Sequence, residues 1–180
     1  MSICDDIFSL YENSGAAAYF GERVSMTEHA LQTAHFAQTA SAPPHLVVAA
    51  LLHDIGHLLE EVPEDLAEWT KDARHEEIGG RWLAKYFPAA VSEPVRLHVP
   101  AKRYLCATDV HYAAKLSPAS VHTLNLQGGP MSAAEVRQFE TREHFREAVA
   151  VRRWDDQGKV AGLKTPSLPD YRTLIEQVRR

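Results

Sequence analysis

The chain has 180 residues, 45% of them hydrophobic, with a formal net charge of −5; this is enough for one domain with a real core and argues against the basic stripe of a duplex-binding protein, so no nucleic-acid partner is expected. No stretch reaches the ~20 apolar residues of a membrane span, and "MSICDDIFSLYENSG" carries acids where a secretory leader is basic, so a cytoplasmic protein without a membrane partner is expected. Cys4 and Cys106 suggest neither a disulfide framework nor a zinc knuckle, whereas ten histidines are a rich supply of the commonest metal ligand.

Apolar positions recur at spacings of three and four and period-two alternation is absent, so the chain is expected to be all-α, a single domain over residues 1–180. Ser25-Met-Thr-Glu28 is a capping box that opens a helix through about Ala40, and "SAPP" at 41–44 precedes a second helix over about 45–61. His29 thus lies in an early turn of the first, and His53 to His57 near the end of the second. The acidic stretch "EVPEDLAEWTKDAR" reads as an exposed loop with a short helical turn, before a helix from near His75 to about Tyr86 that stops at Phe87-Pro88. Ser92 is placed as the cap of a short helix that carries His98 and is stopped by Pro100. Ser117-Pro118 opens a helix ending at Gly128-Gly129, and Ser132-Ala-Ala-Glu135 is a second capping box leading into a long helical region through about Lys159. A last helix covers about 168–179.

Within "ALLHDIGHLLEE", His53 stands next to Asp54, and His57 follows by one turn, in an otherwise apolar helix. Adjacent helical residues are turned by ~100°, so both members of the doublet can reach a bundle axis. A carboxylate can bridge two cations, whereas an imidazole offers one nitrogen to one metal. With His29, His75, His98 and Asp155 on other predicted helices, the set suits two metals bridged by Asp54. Bound cations would also remove the cost of burying these groups. Taken singly, each histidine reads as a hydrogen-bonded core or surface residue; the doublet together with the others reverses that balance.

The order H…HD…H…H…D, with the local signatures "HDIGH" and "HEEIGG", resembles the HD-domain superfamily. Within it the chain is most similar to the mixed-valent di-iron oxygenases, the group of myo-inositol oxygenase and the phosphonate-cleaving oxygenases. Stretches without any ligand match as well, among them "YFGE", "HV.AKRYL.AT", "QGG.MS" and "RRWDDQ.K". The resemblance implies an HD-domain helical bundle with a di-metal site at its centre, two iron ions as Fe(II)/Fe(III), and dioxygen as co-substrate. It assigns His29, His53, Asp54 and Asp155 to one iron, and His75, His98 and the bridging Asp54 to the other. Tyr19 and Glu22 match a pair that closes over the first iron until substrate binds, and His57, Lys102, Ser120 and Arg152 match phosphonate contacts. The implied reaction cleaves the carbon–phosphorus bond of a small hydroxyphosphonate, supplied by an upstream hydroxylase, in organophosphonate catabolism.

Read from the residues alone, plainer roles stay open for several of these. Tyr19 is an interfacial aromatic beside a glycine turn, Lys102 and Arg103 are solvated charges, Arg152 pairs with Glu147 or Asp156, and Ser120 is a first-turn residue. The amine end of the substrate is open too. A primary ammonium (1-hydroxy-2-aminoethylphosphonate, giving glycine) wants acceptors; a trimethylammonium (1-hydroxy-2-(trimethylammonio)ethylphosphonate, giving glycine betaine) prefers aromatic faces and diffuse negative charge. Glu60 and Glu61 would favour the latter, with Tyr19, Phe20, Trp69 and Tyr104 as possible aromatic walls. Two rivals share the sequence: an HD phosphohydrolase using metal-bound hydroxide, and a non-catalytic ligand-sensing module.

Overall fold

A computed structural model describes residues 2–59 and 74–180. Among them the chain is helical, with one isolated bridge between Ala18 and Ser25 and no strand. Its first helix, α1 (Ile3–Ser14), was not foreseen from the apolar spacing. Its signal is local, a capping box in which Ser2 Oγ accepts from Asp5 N and Asp5 Oδ2 accepts from Ser2 N at 2.9 Å. Helix α2 (Met26–Thr39) starts on the expected Ser25/Glu28 box, and α3 (Pro44–Leu52) takes Pro44 in its first turn.

From Leu46 to Leu52 every residue of α3 is buried, as befits a helix that is apolar all round and enclosed by others. It packs against α2, α6 (Ala89–Thr108), α10 (Phe145–Gln157) and α11 (Arg172–Val178), and Ile7, Phe8, Phe87, Val91, Tyr171 and Ile175 complete its surroundings. The helix expected over 45–61 is not continuous. It breaks at His53-Asp54, and α4 (Ile55–Leu59) follows. Side chains take the carbonyls that a continuing helix would use: His53 Nδ1 lies 2.8 Å from Ala50 O, and the buried Tyr11 hydroxyl donates to Leu51 O at 2.8 Å. Glu60, Glu61 and Trp69, and all of the loop read over 61–74 except Arg74, lie outside the described residues.

Helix α5 (His75–Leu83) crosses α4 at glycines. A Cβ on Gly56 would stand 2.0 Å from His75 O, and one on Gly79 3.1 Å from Gly56 N. The glycines of "HDIGH" and "HEEIGG" thus permit the backbone approach that sets His75 beside Asp54. Helix α6 corrects the expectation of a short helix between Ser92 and Pro100. It runs from a Pro88 cap through both Pro94 and Pro100. Each internal proline costs about 3 kcal/mol of helix stability, but α6 buries Val91, Val95, Leu97, Val99, Ala101 and Leu105 against neighbours that include α3, α5 and α10, and this packing decides the outcome.

A four-residue helix, α7 (Val110–Ala113), was not foreseen; α8 (Pro118–Leu126) begins at the Ser117 cap and gives way to Gly128 and Gly129, at φ 94° and 73°. The long region expected from Ser132 to Lys159 divides into α9 (Ala133–Glu140) and α10, with His144 at φ 68° between them. The division lets Phe139 and Phe145 meet, ring centroids 6.0 Å apart, in a small outer cluster with Leu97 and Ala101. A 3-10 turn at Leu168–Tyr171 leads into α11.

Candidate metal centre and pocket

The bundle brings all the candidate ligands together: His29 from α2, His53 and Asp54 from the break after α3, His75 from the start of α5, His98 from α6 and Asp155 from α10. All are buried, with Asp54 4% exposed and Asp155 1%. The Asp54 carboxylate faces both ways. Its Oδ2 lies 3.6 Å from His29 Nε2 and 3.3 Å from His53 Nε2; its Oδ1 lies 3.2 Å from His75 Nε2 and 3.4 Å from His98 Nε2. Asp155 joins the first group, with Oδ1 3.4 Å from His29 Nε2.

Hydrogen bonding fixes what these atoms offer. His29 Nδ1 is 2.8 Å from Gly158 O, His53 Nδ1 2.8 Å from Ala50 O, and His98 Nδ1 2.6 Å from Val95 O. A carbonyl only accepts, so each Nδ1 carries hydrogen, and each ring when neutral turns a bare Nε2 lone pair inward. The inward nitrogens crowd one another, with His29 Nε2 3.1 Å from His53 Nε2 and His98 Nε2 3.1 Å from His75 Nε2, so that two neutral rings of this kind would set lone pair against lone pair, a repulsion. Asp155 Oδ1 is buried without a hydrogen-bond donor among the described residues. Such repulsion is relieved by a cation at the centre of each group. Ligands about 2.1 Å from a shared metal stand about 3.0 Å apart when at right angles, close to the spacing here. The donor sets therefore fit a pair of metal ions. Burial works against charge on His53, yet the Asp54 carboxylate raises its pKa to about 9, so without a cation the His53 Nε2 holds a proton that a bound metal would displace. Burial likewise opposes ionisation of Asp54 and Asp155, but His53 holds the first and Arg152 the second well below the carboxylate range.

Above the centre opens a pocket of about 440 Å³, counting its mouth, lined by residues that include Tyr19, Glu22, His57, Lys102, Ser120 and Arg152. Tyr19 belongs to a two-residue turn, with Phe20 at φ 41° and Gly21 at φ 80° and Glu22 N donating to Tyr19 O at 2.8 Å. Its ring stacks on His29 at 3.9 Å and its hydroxyl donates to Asp54 Oδ2 at 2.9 Å. Glu22 Oε1 is buried without a hydrogen-bond donor among the described residues. His57 stacks on His75 at 3.9 Å and meets the Phe20 ring at 4.7 Å. Lys102 is 2% exposed and donates to Thr123 Oγ1 at 2.9 Å; burial, aided by Arg152, pushes its pKa down to about 7.

Arg152 is more committed than a free anion contact. Its Nη1 reaches Asp155 Oδ2 at 2.6 Å, Nη2 pairs with Asp156, and Nε donates to the Tyr112 hydroxyl at 2.9 Å. It holds one oxygen of Asp155 and so turns the other toward His29. Arg103 pairs with Glu135, and Tyr104 packs on Phe139 and bonds Glu140, so neither lines the pocket and Tyr104 is not a wall of it. Sequence reasoning missed Thr123, Gln127 and Lys159 in the lining. A signal was present for two of them, because Ser120, Thr123 and Gln127 follow one helical face at i, i+3 and i+7.

A family model described as the HD domain matches residues 26–155, a span that contains every candidate ligand. The chain is 46% identical over 171 residues to a hydroxymethylphosphonate dioxygenase of Gimesia maris, covering 94% of this chain and 85% of that protein. It is 41% identical over 177 residues to a [1-hydroxy-2-(trimethylamino)ethyl]phosphonate dioxygenase (glycine-betaine-forming) of Leisingera caerulea, covering 98% and 90%. An uncharacterized protein of Acanthamoeba polyphaga mimivirus is 33% identical over 171 residues, covering 94% of this chain and 78% of its own length.

Proposed function

Because the chain belongs to the HD-domain family and matches two phosphonate dioxygenases along nearly its whole length, we propose that it is a metal-dependent oxygenase that cleaves the carbon–phosphorus bond of a small 1-hydroxyphosphonate. The observation that carries this reading is the shared Asp54, whose two oxygens face two sets of imidazole nitrogens at the floor of a cationic pocket. The reaction balances with dioxygen alone: R–CH(OH)–PO₃²⁻ and O₂ give R–COO⁻, HPO₄²⁻ and H⁺. The carbon–phosphorus bond breaks, each fragment ends with one more oxygen, and no further reductant is needed.

We assign the metals as two iron ions, one Fe(II) and one Fe(III); when bound they would supply redox chemistry with dioxygen and Lewis acidity toward the substrate oxygens. The residues supply the rest. Lys102, Ser120 and His57 bind the phosphonate oxygens, while Arg152 orients Asp155 from behind and adds positive field. Tyr19 occupies the Asp54 side of the first site and must withdraw for the C1 hydroxyl to approach. The aromatic faces of Tyr19 and Phe20 favour the trimethylammonio compound over the primary amine, while the buried Glu22 oxygen can face either cation on the next carbon. As a single cytoplasmic HD domain, the protein would follow a hydroxylase that installs the C1 hydroxyl.

Anaerobic iron loading, followed by oxygen and a panel of hydroxyphosphonates that includes hydroxymethylphosphonate, tests the reading. Phosphate should appear together with the matching carboxylate, and only when oxygen is present. If no member of the panel gives oxygen-dependent phosphate, the oxygenase reading falls; phosphate release that persists without oxygen would favour hydrolysis.

A further inference from the structure

Lys159 lines the pocket and lies beyond the end of the HD-domain match at Asp155, just as Tyr19, Phe20 and Glu22 line it from before the match begins at Met26. The backbone around Lys159 is fixed on both sides. Gly158 O accepts from His29 Nδ1, while Val160 N donates to Gln32 Oε1 at 2.9 Å and Val160 O accepts from Gln32 Nε2 at 2.8 Å. Gly158 itself lies so near α2 that a Cβ there would be 2.6 Å from Thr33 Oγ1. With its neighbours pinned, the Lys159 side chain, 12% exposed, reaches into the pocket. Its Nζ stands 3.0 Å from Ser120 Oγ, 3.7 Å from Asp156 Oδ1 and 5.9 Å from the centre of the Tyr19 ring.

Two features give that position a use. Ser120 Oγ accepts from Lys159 and also from Ser117 Oγ at 3.3 Å, so both lone pairs are engaged and its hydroxyl proton is left as the donor. Of the other cations in the pocket, Arg152 is spent on Asp155, Asp156 and Tyr112, and Lys102 is the deepest and most dehydrated. A dianionic headgroup therefore meets one incompletely committed ammonium besides Lys102, and it is the less buried of the two and close to the Tyr19 ring.

On the reading that the pocket takes a phosphonate, we propose that Lys159 is a substrate-binding residue, which fixes the Ser120 hydroxyl as a donor and supplies the headgroup with a second ammonium besides that of Lys102. The test compares wild type with Lys159→Met, Lys159→Arg, Ser120→Ala and the double variant Lys159→Met/Ser120→Ala. Inorganic phosphate, which carries the same oxygens, is titrated calorimetrically into each metal-loaded protein, and KM and kcat are measured separately.

Lys159→Met should weaken phosphate binding and raise KM about 10- to 30-fold, the loss of one charge-assisted contact, with kcat changed less than about 3-fold. Lys159→Arg should recover part of the loss, and the double variant should lose less than the product of the two single losses, because the residues act together. Unchanged phosphate affinity in Lys159→Met would overturn the proposal, as would losses in the double variant that multiply in full. The titration does not depend on turnover. If wild type releases no phosphate from any hydroxyphosphonate, the functional reading fails while the binding arm still decides whether Lys159 holds an anion. Thermal melting of each variant identifies any that has failed to fold, and Lys159→Gln then takes its place.

Discussion

The two halves of the metal centre share one carboxylate and differ in almost everything else. The first, formed by His29, His53, Asp155 and Asp54 Oδ2, is enclosed. Its rings are fixed by the carbonyls of Gly158 and Ala50, Asp155 is held by Arg152, and the Tyr19 ring lies across it. The second, formed by His75, His98 and Asp54 Oδ1, has fewer donors, and both of its histidines line the pocket, whereas His29 and His53 do not. Donor number and access thus run in opposite directions. A site with many fixed donors holds an ion more firmly, and Tyr19 covers this one; a site with few donors, open to the pocket, has room for a small third ligand.

The comparison breaks most completely at the one shared residue. Asp54→Ala removes a ligand from both halves and should abolish binding of both ions, with activity down more than about 100-fold. Metal analysis of the purified variant checks it, and one ion retained at full occupancy would show that the halves are independent. Gly56→Ala is expected to separate them. A Cβ 2.0 Å from His75 O forces α5 away from α4 and carries His75 out of reach of Asp54 Oδ1, while α2 and α10 are untouched. The variant should lose the second ion and keep the first, with stability lowered by roughly 1–3 kcal/mol. Stoichiometric metal analysis and urea unfolding read both effects.

A pH series sharpens the comparison on the open side. Lys102 has its folded pKa depressed to about 7 by burial and by Arg152, with Asp155 and Asp156 opposing and Lys159 adding to the depression. The sign follows. Below pH 7 the ammonium that binds the anion predominates; above it the lysine is neutral, and binding must take up a proton. Between pH 7 and pH 8 the charged fraction falls from half to about a tenth, so KM should rise about 5-fold. Lys102→Arg, charged throughout, should flatten this limb of the profile. A KM independent of pH in wild type would remove Lys102 from the phosphonate site.

How much of this was legible depended on the range of the physics involved. The ligands could be read because His53-Asp54 is chemically costly in an apolar helix, and because the other histidines and Asp155 fall on separate predicted helices. Local chemistry also gave the starts of α2, α8 and α9, each at a Ser cap. Tertiary effects could not be read. Pro94 and Pro100 look like helix stops until the burial of α6 is known, and the break at His53-Asp54 depends on Tyr11, distant in sequence, taking the Leu51 carbonyl. The role of Arg152 was legible only as alternatives. The structure shows the pairing with Asp156, and it adds a hold on Asp155 and a place in the pocket lining.

The smallest expected effect has the opposite sign to the others, and it tests the enclosed half. Tyr19 donates its hydroxyl to Asp54 Oδ2 at 2.9 Å, and a substrate hydroxyl approaching the first ion competes with that contact. Tyr19→Phe removes the hydroxyl but keeps the ring that stacks on His29, so the hairpin and the metal site should persist. A neutral hydrogen bond to a charged acceptor contributes about 1.5–3 kcal/mol at most when buried, and part of it is recovered as Asp54 binds the metals. The apparent KM should therefore fall about 2- to 5-fold, with kcat within about 2-fold of wild type. A higher KM would mean that the Tyr19 hydroxyl assists substrate binding. The enclosure of the first half would then belong to the bound state and would no longer distinguish it from the second.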